Sequence, residues 1–294
     1  MAAIRPYTTI GMVAFIDLLG FSARVSKIEK VADLKAIERD VRNVQNWFDH
    51  KSKDEAVREV QKAQAKTVLA FSDCLVVTVP SYSELAGHEG DFDVQLGEVA
   101  ALGYAQGRCA VNGIFVRGGV DYGLWHKKKD TIISPAMVVA YNLEREHAVV
   151  PMIAVSDDLM RHFSKHRHRR FYHKSDDPVR QYFRVFELPN GKKQWMIDYL
   201  PLFLAEIEGT LTPEEKLSYR EADGSTRAEM RTTAWRRGIS GLALAHKEQI
   251  VAARTAATSA KIRTKYDWLA EYHDGALGRF FNDPPAELLI GAKP

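Results

Sequence analysis

The sequence is short of three things: cysteine, net charge and long apolar runs. It has two cysteines, Cys74 and Cys109, in 294 residues, which excludes the disulfide framework of a small secreted domain. The formal charge of +3 is too small to indicate a nucleic-acid-binding protein. Every apolar run falls short of the ~20 residues that cross a bilayer, and the N-terminus lacks a signal-peptide pattern. We therefore expect a soluble, cytoplasmic protein that binds neither nucleic acid nor membranes.

The remaining composition is that of a globular protein. Hydrophobic residues make up 46% and charged residues 27% of the chain, so we expect a packed core. Apolar periodicity predicts helices alternating with strands, and the strands fall at residues 12–16, 67–71, 75–79, 114–122, 152–155, 182–186 and 195–199. This order predicts an α+β fold in which helices cover one face of a mainly antiparallel sheet.

The composition changes near residue 205, where the chain becomes more charged. We place a boundary there, with one domain over 1–205 and a C-terminal helical extension over 206–294. Within the extension, residues 246–272 have the pattern of one long helix. It ends in an aromatic cluster, Tyr266, Trp268 and Tyr272, which we interpret as packing.

Two aspartates carry the strongest indication of chemistry. Asp17 follows the apolar run 13–16, and Asp73 lies between two predicted strands. An ionised carboxylate at the end of a buried strand is costly unless it is paired or bound to a metal. If a hairpin turn lies beside the end of the first strand, the two carboxylates can form a Mg²⁺ or Mn²⁺ site. The alternative is that Asp17 caps a helix and Asp73 serves a turn.

Other polar residues have simpler interpretations. The amides of Gly20, Phe21 and Ser22 could bind phosphate at a helix start, although such glycine turns are common. We interpret Cys74 as a buried core thiol. We interpret the histidines between 161 and 174 as part of a solvated basic helix or loop, with a metal site as the alternative, and the lysines at 127–129 as a solvated loop.

Four segments, taken together, resemble the class III nucleotidyl cyclases. Residues 15–22, FIDLLGFS, resemble the motif F-x-D-x-x-G-F-[ST], and residues 71–74, FSDC, resemble the second metal motif. Residues 117–123, RGGVDYG, match R-x-G-[IV]-x-x-G, and residues 134–144 resemble the helix that follows. The resemblance covers roughly residues 10–200 in the family's order. It implies a class III cyclase-like antiparallel sheet covered by helices in 1–205.

The resemblance also implies roles for individual residues. Asp17, Asp73 and the Leu18 carbonyl would hold two Mg²⁺ or Mn²⁺ ions, and Arg117 would contact the triphosphate. The amides of Gly20, Phe21 and Ser22 would hold phosphates. Family sites lie between two cyclase domains, so the chain is expected to form a homodimer.

The departures from the family concern the base and the transition state. Leu69 and Thr131 occupy positions that read a purine base in the family, and the usual Asn and Arg fall on Val138 and Asn142. Tyr141 and Asn142 are candidates for pocket or phosphate contacts in their place.

The whole pattern resembles the pyrimidine cyclases of Pycsar antiphage defence. This resemblance implies conversion of UTP, or alternatively CTP, to a cyclic nucleotide that activates a separate effector. A catalytically silent nucleotide-binding sensor and a purine cyclase with an altered pocket are the other hypotheses.

Overall fold

A computed structural model of the chain describes residues 8–50, 54–128, 131–207 and 209–291. Contacts divide the chain into two compact units. The first comprises residues 1–109 and 114–199, and the second comprises 110–113 and 200–294. The predicted boundary near 205 lies slightly beyond this division, and the assignment of a catalytic domain to 1–205 stays a prediction. No helix in these described ranges is long and apolar enough to cross a membrane.

An eight-stranded sheet organises the first unit. Its strand order is β2-β3-β1-β4-β6-β8-β7, and β5 pairs with β4. The strands are β1 (Thr8–Leu18), β2 (Thr67–Phe71), β3 (Cys74–Pro80), β4 (Val116–Lys128), β5 (Thr131–Ile133), β6 (Ile153–Val155), β7 (Phe183–Glu187) and β8 (Lys193–Ile197). Described neighbours are antiparallel except for β4 and β6, which are parallel. The predicted α+β class with a mainly antiparallel sheet is confirmed.

The helices of the first unit follow the predicted alternation. They are α1 (Phe21–Val25), α2 (Val31–Asp49), α3 (Glu55–Gln64), α4 (Glu84–Glu89), α5 (Asp91–Val111), α6 (Pro135–Asn142), α7 (Asp157–Lys165) and α8 (Pro178–Tyr182). A π-helical turn, Leu143–His147, continues α6, and a 3-10 turn, Arg167–Phe171, follows α7. Ser134 caps α6 by accepting a hydrogen bond from the Met137 N–H at 3.1 Å.

Helices pack on both faces of the sheet. A Cβ at Gly119 would lie against the backbone of α6, whereas the ring of Tyr122 stacks on His162 of α7 at 3.8 Å. Residues 119 and 122 of one strand point to opposite faces because side chains alternate along a strand. The prediction that helices cover one face was therefore wrong.

The strand β4 is longer than predicted. It continues to Lys128, six residues beyond the expected end at 122. Lys127 and Lys128 are therefore strand residues, and their interpretation as a solvated loop was wrong. Lys129 lies outside the described residues.

The second unit consists of helices. They are α9 (Tyr199–Ala205), which begins at the division between the units, α10 (Pro213–Glu221), α11 (Gly224–Thr255) and α12 (Ala260–Leu277). The predicted single helix over 246–272 was wrong, because Ser259 is extended and caps α12 by accepting from the Ile262 N–H. Trp268 and Tyr272 are buried and stack at 5.6 Å, which confirms the interpretation of this cluster as packing.

Candidate active site

The end of β1 places three polar side chains in a row across the sheet. Asp17 lies opposite Cys74 on β3 and opposite Arg117 on β4. Directly opposed residues of antiparallel strands project to the same face, so the carboxylate lies between the thiol and the guanidinium. Val13 and Phe15 precede Asp17 on this face, since side chains alternate along the strand. We call this side of the sheet the Asp17 face.

The β2–β3 hairpin brings the second aspartate to the same place. Its two-residue turn consists of Ser72 and Asp73, and Ser72 has the positive φ of 55° that tight hairpin turns favour. The Leu18 N–H donates to the Asp73 carbonyl at 3.1 Å, which fastens the turn to the end of β1. Carboxylate oxygens of Asp17 and Asp73 consequently lie within 4.8 Å of each other and of the Cys74 sulfur.

Arg117 connects this cluster to a third carboxylate. Its Nε donates to Asp17 Oδ2 at 3.1 Å, and its Nη2 lies 2.6 Å from Glu144 Oε1. The Glu144 side chain is only 4% exposed and that of Asp17 only 17%. Glu144 had no predicted role, although it ends the helix motif. The expected contact of Arg117 with a triphosphate stays a prediction.

A glycine explains how Glu144 reaches Arg117. A Cβ at Gly119 would lie 2.1 Å from the Ala140 carbonyl oxygen and 2.6 Å from the Leu143 Cβ. Glycine in a strand marks a close approach of another backbone, and here it lets the end of α6 lie directly on β4. The π-helical turn begins at this contact and carries Glu144 to the guanidinium.

Burial controls the protonation of these groups. Burial raises the pKa of Asp17, while Arg117 opposes the rise and the Asp73 charge adds to it. Burial likewise raises the pKa of Glu144 against the influence of Arg117. Burial, followed by the charges of Asp17 and Asp73, raises the pKa of Cys74 to about 12. The thiol is therefore protonated at neutral pH.

The interpretation of Cys74 as a buried core thiol was wrong. The residue is half-buried, and its Sγ donates to Asp17 Oδ1 at 3.6 Å and lies 3.9 Å from Asp73 Oδ1. The apolar run around Cys74 suggested a core position. Cys74 is instead the first residue of β3 and lies at the end of the sheet.

The donor set fits a hard divalent cation. Ionised Asp17, Asp73 and Glu144 carry three negative charges, and Arg117 supplies one positive charge. Carboxylate and backbone carbonyl oxygens are the ligands that Mg²⁺ and Mn²⁺ prefer, whereas the protonated Cys74 thiol is a poor ligand for them. Cations at this site would compensate the excess negative charge that burial makes costly.

The turn after β1 has the geometry expected of a phosphate-binding segment. Gly20 has a φ of 77° and immediately precedes α1, whose first N–H groups lack intrahelical acceptors. The Leu19 N–H donates to the Phe115 carbonyl at 2.9 Å, so the candidate amides begin after it, at Gly20, Phe21 and Ser22. Phosphate binding here stays a prediction.

The positions expected to border a base lie on β2 and β5. Leu69 lies opposite Val76 and shares the Asp17 face with it, while Thr131 is exposed at the start of β5. The Lys127 ammonium donates to Thr67 Oγ1 at 3.1 Å. Two strands separate β2 from β4 in the sheet, so the end of β4 curves over the Asp17 face to make this contact. Lys127 is therefore a cation on this face that sequence analysis missed.

The exposed side of α6 contains the remaining candidates. The Tyr141 ring meets Phe15 edge to face at 5.3 Å and is 41% exposed. Asn142 is exposed, and so is Val138 one turn earlier. Tyr141 thus lies on the Asp17 face, against Phe15, which is two residues before Asp17 on β1. A ligand role for Asn142 stays a prediction.

No protein-family model and no curated protein matches the sequence. Among solved structures, the adenylyl cyclase CyaB from P. aeruginosa is similar to this chain at 15% identity, covering 65% of this chain and 94% of its own, with a TM-score of 0.38. The guanylyl cyclase domain of the RhoGC fusion protein from the aquatic fungus Blastocladiella emersonii is similar at 11% identity, covering 65% and 97%, with a TM-score of 0.41. A bacterial light-regulated adenylyl cyclase is similar at 13% identity, covering 67% and 96%, with a TM-score of 0.38. These values assign no activity to the chain.

Proposed function

We propose that this chain is a class III-type nucleotidyl cyclase that converts UTP to 3′,5′-cyclic UMP and pyrophosphate. The observation that carries the proposal is the meeting of Asp17 and Asp73, 56 residues apart in the sequence, at the end of β1 beside Arg117. In this role the product is a second messenger of antiphage defence that acts on a separate effector. A cytoplasmic setting belongs to the same proposal.

Each group at the site has a role that its position supports. Asp17, Asp73 and the Leu18 carbonyl would hold two Mg²⁺ or Mn²⁺ ions, and these ions would supply positive charge to the triphosphate and acidity to the ribose hydroxyl. Arg117 keeps Asp17 oriented through its 3.1 Å hydrogen bond, and Glu144 holds the guanidinium from the other side. The amides of Gly20, Phe21 and Ser22 bind phosphate oxygens at the start of α1.

The reaction exchanges one phosphorus–oxygen bond for another. The ribose 3′-oxygen forms a bond to the α-phosphorus, the bond to the bridging oxygen of pyrophosphate breaks, and the hydroxyl proton passes to water. Because such transfers depend mainly on positioning and charge, the contribution of the chain is a preformed cluster of carboxylates held by strand register.

The preference for a pyrimidine rests on the Asp17 face. Leu69 supplies an apolar contact where a purine-reading lysine stands in the family, and the curve of β4 brings Lys127 toward this strand. Lys127 is then the cation for phosphate or for a pyrimidine carbonyl, and Tyr141 supplies an aromatic wall. Thr131 pairs with Lys128 and so projects to the face opposite to Lys127, and its contact with a base stays a prediction.

A second copy of the chain is expected to complete the site. Apolar residues of α6 and the adjoining strands are exposed, with Val138 at 55% and Ile133 at 66%. Burying these side chains in a homodimer would stabilise it through the hydrophobic effect. A monomer with full turnover in analytical ultracentrifugation and activity assays at one concentration would contradict this part of the proposal.

The activity is tested with the four nucleoside triphosphates and Mn²⁺, with products separated by chromatography. Cyclic UMP should form, and Asp17→Asn or Asp73→Asn should abolish it. The matched control is Asp176→Asn, which changes an exposed aspartate. Cyclic CMP or a cyclic purine nucleotide as the main product would correct the base assignment. Absence of a cyclic product with all four triphosphates would contradict the proposed cyclase activity and favour a silent nucleotide-binding module.

A further inference from the structure

A second cluster of metal-ligating side chains lies on the opposite face of the sheet from Asp17. His162 lies in the last part of α7, and His166 is the residue that ends the helix. Asp91 is the first residue of α5. One ligand atom from each of these three residues lies within 4.8 Å of one from each of the others. The cluster joins the start of α5 to the end of α7.

The separations within the cluster suit one metal ion. His166 Nε2 and Asp91 Oδ1 are 3.4 Å apart, which is about the separation of two ligands on a tetrahedral zinc with bonds of 2.0–2.1 Å. The Nε2 of His162 is buried and has no hydrogen-bond partner among the described residues. A buried imidazole nitrogen without a partner is costly, and a metal ion would satisfy it.

Aromatic neighbours hold both imidazoles in place. The His162 ring stacks on Tyr122 at 3.8 Å, and the His166 ring stacks on Phe92 at 4.8 Å. Burial, followed by the charge of His166, lowers the pKa of His162, which favours the neutral imidazole that ligates metals. The earlier interpretation of these histidines as part of a solvated basic segment was wrong for both residues.

The cluster is also open to solvent on two sides. One groove is lined by Asp91 and His166 together with residues 81–90, and another is lined by His162 and His166 together with Tyr122. Three protein ligands beside such grooves leave room for water or a further ligand in the fourth position, as in three-ligand zinc sites.

We propose that Asp91, His162 and His166 form a binding site for one transition-metal ion, with Zn²⁺ as the preferred ion. Two imidazoles and one carboxylate select zinc over magnesium, whereas the oxygen ligands of Asp17 and Asp73 select magnesium or manganese. Ligation through His166 Nε2 places the ring proton on Nδ1. The 3.2 Å hydrogen bond that Nδ1 accepts from the His168 N–H is then lost.

Titration of the full-length protein with Co²⁺ tests this site, because tetrahedral Co²⁺ absorbs visible light far more strongly than octahedral Co²⁺. Excess Mg²⁺ is present throughout to occupy the Asp17 and Asp73 ligands. The wild type should develop the visible bands at one equivalent of Co²⁺, and one equivalent of Zn²⁺ should abolish them. His162→Gln and Asp91→Asn should each weaken Co²⁺ binding at least tenfold.

The control variant is His173→Gln, which alters an exposed histidine of the same basic segment and should bind Co²⁺ like the wild type. Circular dichroism verifies that each variant is folded, and two ligand variants guard against the failure of one to fold. No visible bands in the wild type, or unchanged bands in both folded ligand variants, would overturn the proposal.

Discussion

Replacement of Gly119 by alanine tests how the fold assembles the Asp17 face. The new Cβ would lie 2.1 Å from the Ala140 carbonyl oxygen and 2.9 Å from its carbonyl carbon. These are backbone atoms of α6, so no side-chain rotation can relieve the contact. The helix would have to recede by more than about 1 Å to restore an ordinary van der Waals distance.

The cost follows from this displacement. Added methyl groups in a packed interior typically cost about 1–3 kcal/mol, and a clash with backbone belongs at the upper end of that range. Gly123→Ala is the matched control on the same strand and against the same helix. Its Cβ would lie 3.2 Å from the Ala136 Cβ, a contact that a shift of a few tenths of an ångström relieves. We expect Gly123→Ala to cost less than about 1 kcal/mol, since alanine also restricts the unfolded chain.

Two measurements check the effect. Urea titrations should show that Gly119→Ala lowers the free energy of unfolding by about 3 kcal/mol relative to wild type. Hydrogen exchange should become faster in the π-helical turn Leu143–His147, because a receding helix withdraws Glu144 from its 2.6 Å ion pair with Arg117. Equal unfolding free energies for the two glycine variants would refute the proposed role of Gly119.

Two further predictions concern the charges at the site. Burial already raises the pKa of Asp17 and of Glu144. Arg117→Met removes the cation that pairs with both carboxylates. The folded state then retains protons that the unfolded state releases, so the free energy of unfolding should fall as the pH rises above about 4, with a larger loss relative to wild type near pH 8 than near pH 5. Second, the pKa of about 12 predicts that iodoacetamide modifies Cys74 slowly. Asp17→Asn removes a charge that raises this pKa, so mass spectrometry should detect faster modification.

Each of these predictions has an outcome that contradicts it. An equal loss of stability for Arg117→Met at both pH values would mean that the guanidinium does not compensate buried carboxylates. An unchanged alkylation rate in Asp17→Asn would mean that the thiol does not sense the Asp17 charge. Cys109, which is buried, serves as the internal reference for access of the reagent.

The position of each aspartate, Asp17 and Asp73, at the end of its strand could be predicted because it depends on local sequence. An apolar run that ends in an aspartate, and a short polar turn between two β-branched runs, fix where each carboxylate lies on its strand. The antiparallel register then sets them side by side. The positions of the paired strands β2 and β3 were predictable for the same reason.

The position of Glu144 could not be predicted in this way. It depends on the depth at which α6 lies on Gly119, and on a π-helical turn that changes the direction of the side chains after Asn142. The turn is five residues long and ends the helix, so too few residues follow it for hydrophobic periodicity to reveal it. The Asp91–His162 contact is likewise tertiary, because it joins two helices 71 residues apart.

The prediction of one helix over 246–272 was wrong for a different reason. Residues 256–259 contain neither proline nor glycine, so the usual signals for a helix end are missing. The break is made by the Ser259 side chain, which accepts from the Ile262 N–H and starts α12. A serine within a helical pattern is compatible with both continuation and capping, and only packing decides between them.

The excess of buried negative charge around Asp17 is the strongest argument that the Asp17 face would bind a polyanion through metal ions rather than directly through its own side chains. A fold that needed only stability would place apolar side chains at the ends of β1 and β3, because a buried ion pair rarely exceeds its apolar equivalent in stability. Here Arg117 pairs with two carboxylates, Asp17 and Glu144, while Asp73 lies beside Asp17, and burial raises the pKa of Asp17 and Glu144. Divalent cations would remove this penalty and give the surface a net positive charge, to which a triphosphate would bind beside the amides of the turn at Gly20. Binding of metal and nucleotide to the folded state would then stabilise the fold.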